Sequence, residues 1–237
     1  LARGMWLMAR REAVINRLKA VETLGSASTI MTDKTGTLTE NRMAVQRMVT
    51  PAGEHKLQVK PGQTDKLEET KIPEDKLVGR MGEIGVLCSN ASLGKKKKVG
   101  DELGDPTEVA LLEAGIGLGL DREELLDQKP EAREVSFDPD VMMMATFHQI
   151  DGEYDVLVKG APDAVLEVCD SVAREEAGEE KLAKDAKEQW IQKTRELAEE
   201  GYRLLAMADK TVSDMEEKPY KNLRLVGIVA MFDPPRK

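Results

Sequence analysis

Three β-type runs follow one another without a helix between them: "AREVSFDPD" (132–140), "VMMMATFHQI" (141–150) and "EYDVLVKGAP" (153–162). A parallel crossover needs a dozen or more residues, so these strands must pair antiparallel in the middle of the chain. Two more runs, "YRLLAMADKTV" (202–212) and "LRLVGIVAMFDPP" (223–235), close the chain as strands, and "MAVQRMVTP" (43–51) reads as another. Between them, "GEHKLQVKPGQTDKLEETKIP" (53–73) is polar with scattered Gly and Pro, a loop or a weak hairpin. Helical spacing is expected over the first part of 1–24, over 74–93, 105–119 and about 162–169, and over the acidic stretch 180–200. For the helix over 105–119 Asp105 is the expected N-cap, Pro106 the first helical position and Glu108 the third residue after the cap, a capping-box position. The chain is therefore expected to be α/β, an antiparallel sheet with flanking helices.

Composition narrows the function classes. Hydrophobic residues are 41% and charged residues 33% of 237, enough for a packed core under a solvated surface. Aromatic residues are only 3%, so the core must be aliphatic and each aromatic needs a reason. The formal net charge of −9 argues against a general nucleic-acid or anionic-membrane binder. The run "GKKKKVGDELGD" (94–105) then reads as a solvated loop. Two cysteines, Cys88 and Cys169, make no disulfide framework, and two histidines, His55 and His148, make no zinc spacing. No apolar run reaches the ~18 residues that span a bilayer. The basic start lacks the apolar core of a signal peptide. Both ends look cut from something longer.

The chemistry sits at "MTDKTGTLTE" (31–40). The short run "STIMTD" (28–33) reads as a strand ending on Asp33, and reactive groups in open α/β sheets cluster beyond the carboxyl ends of strands. A carboxylate needs no deprotonation at neutral pH, and its attack on a terminal phosphate gives a labile acyl phosphate. A Mg²⁺ ion would offset the charges. Lys34 would help neutralise the phosphate, while the Thr35 and Thr37 hydroxyls and the Gly36 backbone can approach it closely.

The string "DKTGTLT" resembles the phosphorylation motif of the P-type cation-transporting ATPases. "GDPTEVALL" (104–112), "SFDPD…MMAT" (136–146), "KGAPD" (159–163), "GYRLLAMA" (201–208) and "DPPR" (233–236) follow in that family's order. "GDPTE" with "KGAP", and "VETLGS" (21–26), look like its type II branch, which includes the calcium pumps. The resemblance implies an antiparallel-sheet nucleotide-binding domain inserted into a partial haloacid-dehalogenase-like phosphorylation domain. It divides the chain into a stalk helix segment (1–24), the first part of the phosphorylation domain (25–42), the nucleotide-binding domain (43–222) and a hinge return (223–237). It makes Asp33 the phosphorylated residue, with Lys34 and Thr35 beside it and Mg²⁺ held by Asp33 and Thr35 in an incomplete site. For ATP it implies Phe137 stacked on adenine, Glu108 near the adenine edge, Lys159 and Gly160 lining the pocket, Arg203 at the phosphates, and Asp233 at the hinge and the phosphate end.

Each of these residues also has a plainer reading. Phe137 can be a core residue of a strand, Lys159 a solvated strand-end lysine, Arg203 a partner for a helix C-terminus, and Glu108 a cap. The motifs in order favour the family roles. The chain departs from the family where a lysine, and often an arginine, usually precedes the methionine: Val141 and Met142 stand there. Losing a charge-assisted bond costs on the order of 1.5–3 kcal/mol, so nucleotide affinity is expected to be weaker unless a nearby Lys or Arg compensates. The "GDGxND", "TGD" and "TGE" motifs and the membrane helices of the family are absent. The expectation is thus a piece of a pump, on the cytoplasmic face of a membrane, that binds ATP without completing turnover by itself. Its partners would be ATP and the rest of the same pump: the transmembrane and actuator domains and the remainder of the phosphorylation domain. The alternative is a soluble haloacid-dehalogenase-class phosphatase or phosphotransferase, against which Thr35 speaks, because those enzymes usually carry a second Asp at that position. A non-enzymatic interaction module would leave the ordered motifs unexplained.

Overall fold

The computed structural model describes residues 2–12, 25–33, 37–40, 42–57, 59–60, 62, 65–68, 72–93, 103–175 and 178–234. Among the described residues nine strands form one sheet: β1 (Ala44–Thr50), β2 (Gly53–Lys56), β3 (Glu131–Asp138), β4 (Met143–Ile150), β5 (Glu153–Gly160), β6 (Cys169–Arg174), β7 (Gly178–Lys181), β8 (Arg203–Val212) and β9 (Leu223–Phe232). The main order is β2-β1-β9-β8-β5-β4-β3, with β6 and β7 hung off β9. Only the β6–β9 pair is parallel; the others are antiparallel, as the short connections demand. Among the described residues six helices accompany the sheet: α1 (Ala2–Ala9), α2 (Lys76–Leu87), α3 (Pro106–Gly117), α4 (Arg122–Gln128), α5 (Pro162–Val168) and α6 (Lys184–Glu199).

Alternation along the strands builds a core on each face. Met144, Leu157, Met207 and Val229 pack with Val78, Met81, Ile84 and Leu111 of α2 and α3. Their neighbours Ala145, Phe147, Val156, Val158, Ala208 and Ile228 pack instead with Val165, Leu166 and Leu197 of α5 and α6. The central strands are covered on both faces, which is why β9 reads as the nearly unbroken apolar run "LRLVGIVAMF". Helix α2 lies close over the sheet at Gly227, where a Cβ would come within 2.3 Å of the Val49 carbonyl oxygen and 2.7 Å of the Met81 sulfur. Its start is fixed by Asp75, which accepts a hydrogen bond from Leu77 N at 2.8 Å. Arg80, on the same helix, ties it to the sheet through Asp155 (2.6 Å) and Asp209 (2.7 Å), while Arg224 of β9 holds the same Asp209.

Several expectations need correction. The run 28–33 does not form a strand: 27–33 have no regular structure, and Ile30 and Met31 are 85% and 93% exposed. A strand needs a neighbour to take up its backbone groups, and no described strand lies beside this one. The expected strand 141–150 starts at Met143, because Val141 and Met142 turn and Met142 has φ 57°. The helix expected over 180–200 starts at Lys184, since 178–181 pair with β6 as a hairpin. Helix α2 spans 76–87, shorter than the expected 74–93, and α4 was not expected. In the sheet, β9 lies between β1 and β8. At the N-terminus a helix is present over Ala2–Ala9, and 13–24 fall outside the described residues.

Candidate nucleotide site

The register gathers the expected nucleotide residues at one end of the sheet. Met143 pairs with Gly160 and Met144 with Lys159 across β4 and β5, and Asp138, next to Phe137, pairs with Met143 across β3 and β4. Ala206 and Met207 of β8 follow on the other side of Gly160 and Lys159. Phe137 is 59% exposed on the edge strand β3. In a chain with three phenylalanines, an exposed ring on a strand is costly to leave wet, and it is not the core residue of the plainer reading.

Lys159 is not a solvated strand-end lysine either. It is 6% exposed, and its ammonium donates to Glu108 Oε1 at 2.6 Å. The other carboxylate oxygen of Glu108 accepts from Asn90 N at 3.0 Å, so both oxygens go to tertiary partners and not to the helix cap. Asn90 Nδ2 donates to Glu134 Oε1 at 2.9 Å, which also accepts from Ser136 Oγ at 2.6 Å. These bonds, Asn90 first and Ser136 second, hold the Glu134 carboxyl below its ordinary range. The result is a polar line Lys159–Glu108–Asn90–Glu134–Ser136 linking β5, α3, the end of α2 and β3. Cys88, behind it, is fully buried; burial pushes its thiol up to about 11 against the nearby charge of Lys159.

Two further residues complete the wall. At Gly160 an added Cβ would meet the Met142 carbonyl oxygen at 2.5 Å and Met143 Cα at 3.0 Å, so only glycine lets β5 pass beneath the 138–142 turn. That turn is closed by Met142 N donating to the Asp138 carbonyl at 2.6 Å and is pinned to β5 by Ala161 N donating to the Met142 carbonyl at 3.0 Å. Asp105 caps α3 by accepting from Thr107 N at 2.8 Å, as expected. Burial works to raise its carboxyl, but the hydrogen bonds at the helix start and the charge of Arg203 outweigh it and leave it lowered. Arg203 itself is the exposed first residue of β8.

Asp233 lies apart from these groups in the bonding pattern. Its carboxylate accepts from Thr39 Oγ1 at 2.6 Å and from Arg42 N at 3.1 Å, and Glu40 N donates to the Pro234 carbonyl at 3.0 Å. The segments entering β1 and leaving β9 are thereby fastened side by side. Asp33 is exposed, and Lys34 and Thr35 lie outside the described residues. For Mg²⁺ the described residues offer Asp33 with no cluster of three acidic, histidine or cysteine groups anywhere among them. They do not by themselves make a Mg²⁺ site. Sequence reasoning missed Asn90 and Glu134. Nothing in their spacing marks them, since only folding brings them to Glu108.

Comparison with known proteins agrees with this architecture. The family model described as P-type ATPase, cytoplasmic domain N, matches residues 78–237. Calcium-transporting ATPase 1 of Lactococcus lactis is 34% identical, aligned with all of this chain and 26% of its own length. Calcium-transporting ATPase lmo0841 of Listeria monocytogenes is 36% identical, with the same coverage of 100% and 26%. Cation-transporting ATPase pma1 of Synechocystis sp. is 33% identical, with 100% of this chain and 27% of the relative aligned. The chain thus spans about a quarter of the length of the curated relatives it matches. Among the described residues no helix is long and apolar enough to cross a membrane.

Proposed function

We propose, from the premise that this chain belongs to the P-type ATPase family, that its sheet and helices are the ATP-binding part of a cation pump and that Asp33 takes the γ-phosphate in the whole protein. The observation that carries the reading is the exposed ring of Phe137 on β3 at the same end of the sheet as the Lys159–Glu108 ion pair. An aromatic face kept in water and backed by a fixed polar line is the arrangement a nucleobase needs: stacking on one side, an edge to hydrogen-bond on the other. The relatives' names give calcium or an unspecified cation as the cargo, and we propose cation transport at that level.

In this reading ATP binds beside Phe137, with Glu108, Lys159 and Gly160 shaping the pocket and Arg203 and Asp233 toward the phosphate end. Mg²⁺ would neutralise the transferred phosphate, with Asp33 and Thr35 among its ligands and the remainder supplied by the rest of the pump. Closure of the nucleotide domain onto Asp33 is the gating step. The fastening of 39–42 to 233–234 by Asp233 favours these two crossings as the hinge. A partial haloacid-dehalogenase-like domain would hold Asp33, on the cytoplasmic face of the membrane, beside the actuator and transmembrane parts.

The test is a Mg-ATP titration of the chain followed by amide chemical shifts. Saturable binding is expected with Kd between about 1 μM and a few mM (about −8 to −4 kcal/mol), with shifts centred on Phe137, Asn90 and Glu108. Absence of binding at several mM, or binding untouched by Phe137→Ala, would refute the assignment.

A further inference from the structure

We propose that Arg47 is a positioning residue for the hinge: with Tyr202 and Phe232 it clamps the exit of β9 to the start of β8, so that the crossings at 39–42 and 233–234 are held in a fixed attitude to the sheet. The clamp itself is made of contacts within the fold. Its use, to orient the nucleotide domain toward Asp33, rests on the function proposed above.

Arg47 stands on β1 just after the register of β1 against β9 shifts, between Val45 and Arg47. Such a bulge re-aims the side chain beside it. The guanidinium lies over the ring of Tyr202, with Cζ 4.7 Å from the centroid. Its Nη1 donates to Glu54 Oε1 of β2 at 2.9 Å, and its Nη2 pairs with Glu200 Oε2, at the end of α6, at 2.8 Å. Lys193 of α6 takes the other oxygen of Glu54 at 2.8 Å. A planar guanidinium suits this place, because it can hold two carboxylates at its fork and an aromatic ring against its face. The Tyr202 ring in turn meets Phe232 edge-on, with centroids 6.0 Å apart and planes at 63°.

The two rings stand at the points where the chain changes task. Phe232 ends β9, and the next residue is Asp233, whose carboxylate accepts from Thr39 Oγ1 and Arg42 N. Tyr202 immediately precedes Arg203, which opens β8 opposite Met231. Here β1 begins and β9 ends, Ala44 opposite Phe232, and strand ends are the first part of a sheet to open. The stack carries the grip of β2 and α6 to this point. It couples the strand start that bears Arg203 to the crossing that bears Asp233.

The experiment is amide hydrogen exchange of the 237-residue chain, read at Glu40 and Arg42, whose N–H groups bond Pro234 and Asp233, with the amides of β5 as the control. Arg47→Met leaves Glu54 paired with Lys193 and Glu200 half in water, so the domain should stay folded. Arg47→Met and Tyr202→Leu should each speed exchange at Glu40 and Arg42 by about tenfold relative to β5. Tyr202→Phe, which keeps the ring, should stay within about twofold of the parent chain. Exchange that rises equally at all amides, or that is unchanged at Glu40 and Arg42 in both disrupting variants, would overturn the clamp. The second arm adds Mg-ATP. Arg47→Met should bind it within about threefold of the parent chain, yet lose the shifts that ATP produces at Glu40, Arg42 and Phe232 in the parent. Survival of those shifts in Arg47→Met would overturn the coupling and leave the nucleotide reading standing. Failure of the parent chain to bind ATP would refute that reading, and the clamp would then stand or fall on the exchange rates alone.

Discussion

At the scale of single residues, the buried pair Lys159–Glu108 and the exposed ring of Phe137 behave oppositely under mutation. Phe137 makes no core contact that the fold depends on, so Phe137→Ala should leave the urea midpoint unchanged and weaken ATP binding by about 1–3 kcal/mol, the worth of one base–aromatic stack. Lys159→Ala leaves the half-buried Glu108 carboxylate without its charge partner, with Asn90 N alone still donating to it, which costs about 1–3 kcal/mol of stability. A binding loss in that variant alone would confuse folding with recognition. The double change Lys159→Met with Glu108→Gln removes both charges and should recover most of the stability in a denaturant titration. If it unfolds as readily as Lys159→Ala, the pair is not what the lysine is for. Gly160→Ala drives a methyl into the Met142 carbonyl and should cost about 1–3 kcal/mol, read as a shifted urea midpoint. The resemblance carried by "KGAP" singled out Lys159 and Gly160, but the salt bridge was not legible in it. Glu108 lies 51 positions from Lys159, and its local pattern pointed to a helix cap.

At the scale of elements, α2 is held to the sheet by charge as well as by its apolar stripe. Arg80 bonds Glu83, Asp155 and Asp209, and Lys129, at the end of α4, bonds Glu83. Burial acts to raise the Glu83 carboxyl, but the charge of Arg80 and the bond from Lys129 prevail and lower it from its ordinary 4.5. The sign follows. A carboxyl with a depressed folded-state pKa stabilises the fold fully above the unfolded value, near 4.5, and loses that contribution as pH falls through its lower folded value. The contribution of Glu83 to the urea midpoint should therefore be flat from neutral pH to about 5 and drop below about 4. Arg80→Met takes one of two cationic partners from each of Glu83, Asp155 and Asp209, so it should cost about 3–5 kcal/mol at neutral pH and shift the acid limb upward. An acid limb identical to that of the parent chain would show that Glu83 gains nothing from Arg80. The strands β3, β4, β5, β8 and β9 were legible because apolar runs bounded by turn residues specify them locally. The hairpin β6–β7 was not: "GEEK" (178–181) has no strand composition and is extended only because β6 is there to pair with it.

At the scale of the whole molecule, the decisive strand is the last one. β9 pairs with β1, β8 and β6, so it joins the two ends of the described chain and closes the sheet. Ending the chain after Asn222 should leave two half-sheets with exposed apolar faces and abolish cooperative unfolding, measured by circular dichroism against urea. A truncated chain that still unfolds in one sharp transition would show that β9 belongs to the hinge and not to the domain. What the sequence by itself determined is what short-range chemistry specifies: antiparallel pairing from connections too short to cross over, the Asp105–Pro106 start of α3, an aliphatic core, and the ordered motifs that mark a P-type ATPase. What only the tertiary structure decided is which charges are already spent. Lys159 and Glu108 neutralise each other, Asn90 and Glu134 join them from distant segments, and β9 inserts between strands far away in sequence. Pairing of this kind depends on register across several strands and on burial that strengthens each bond. Neither is written in any local window of the chain.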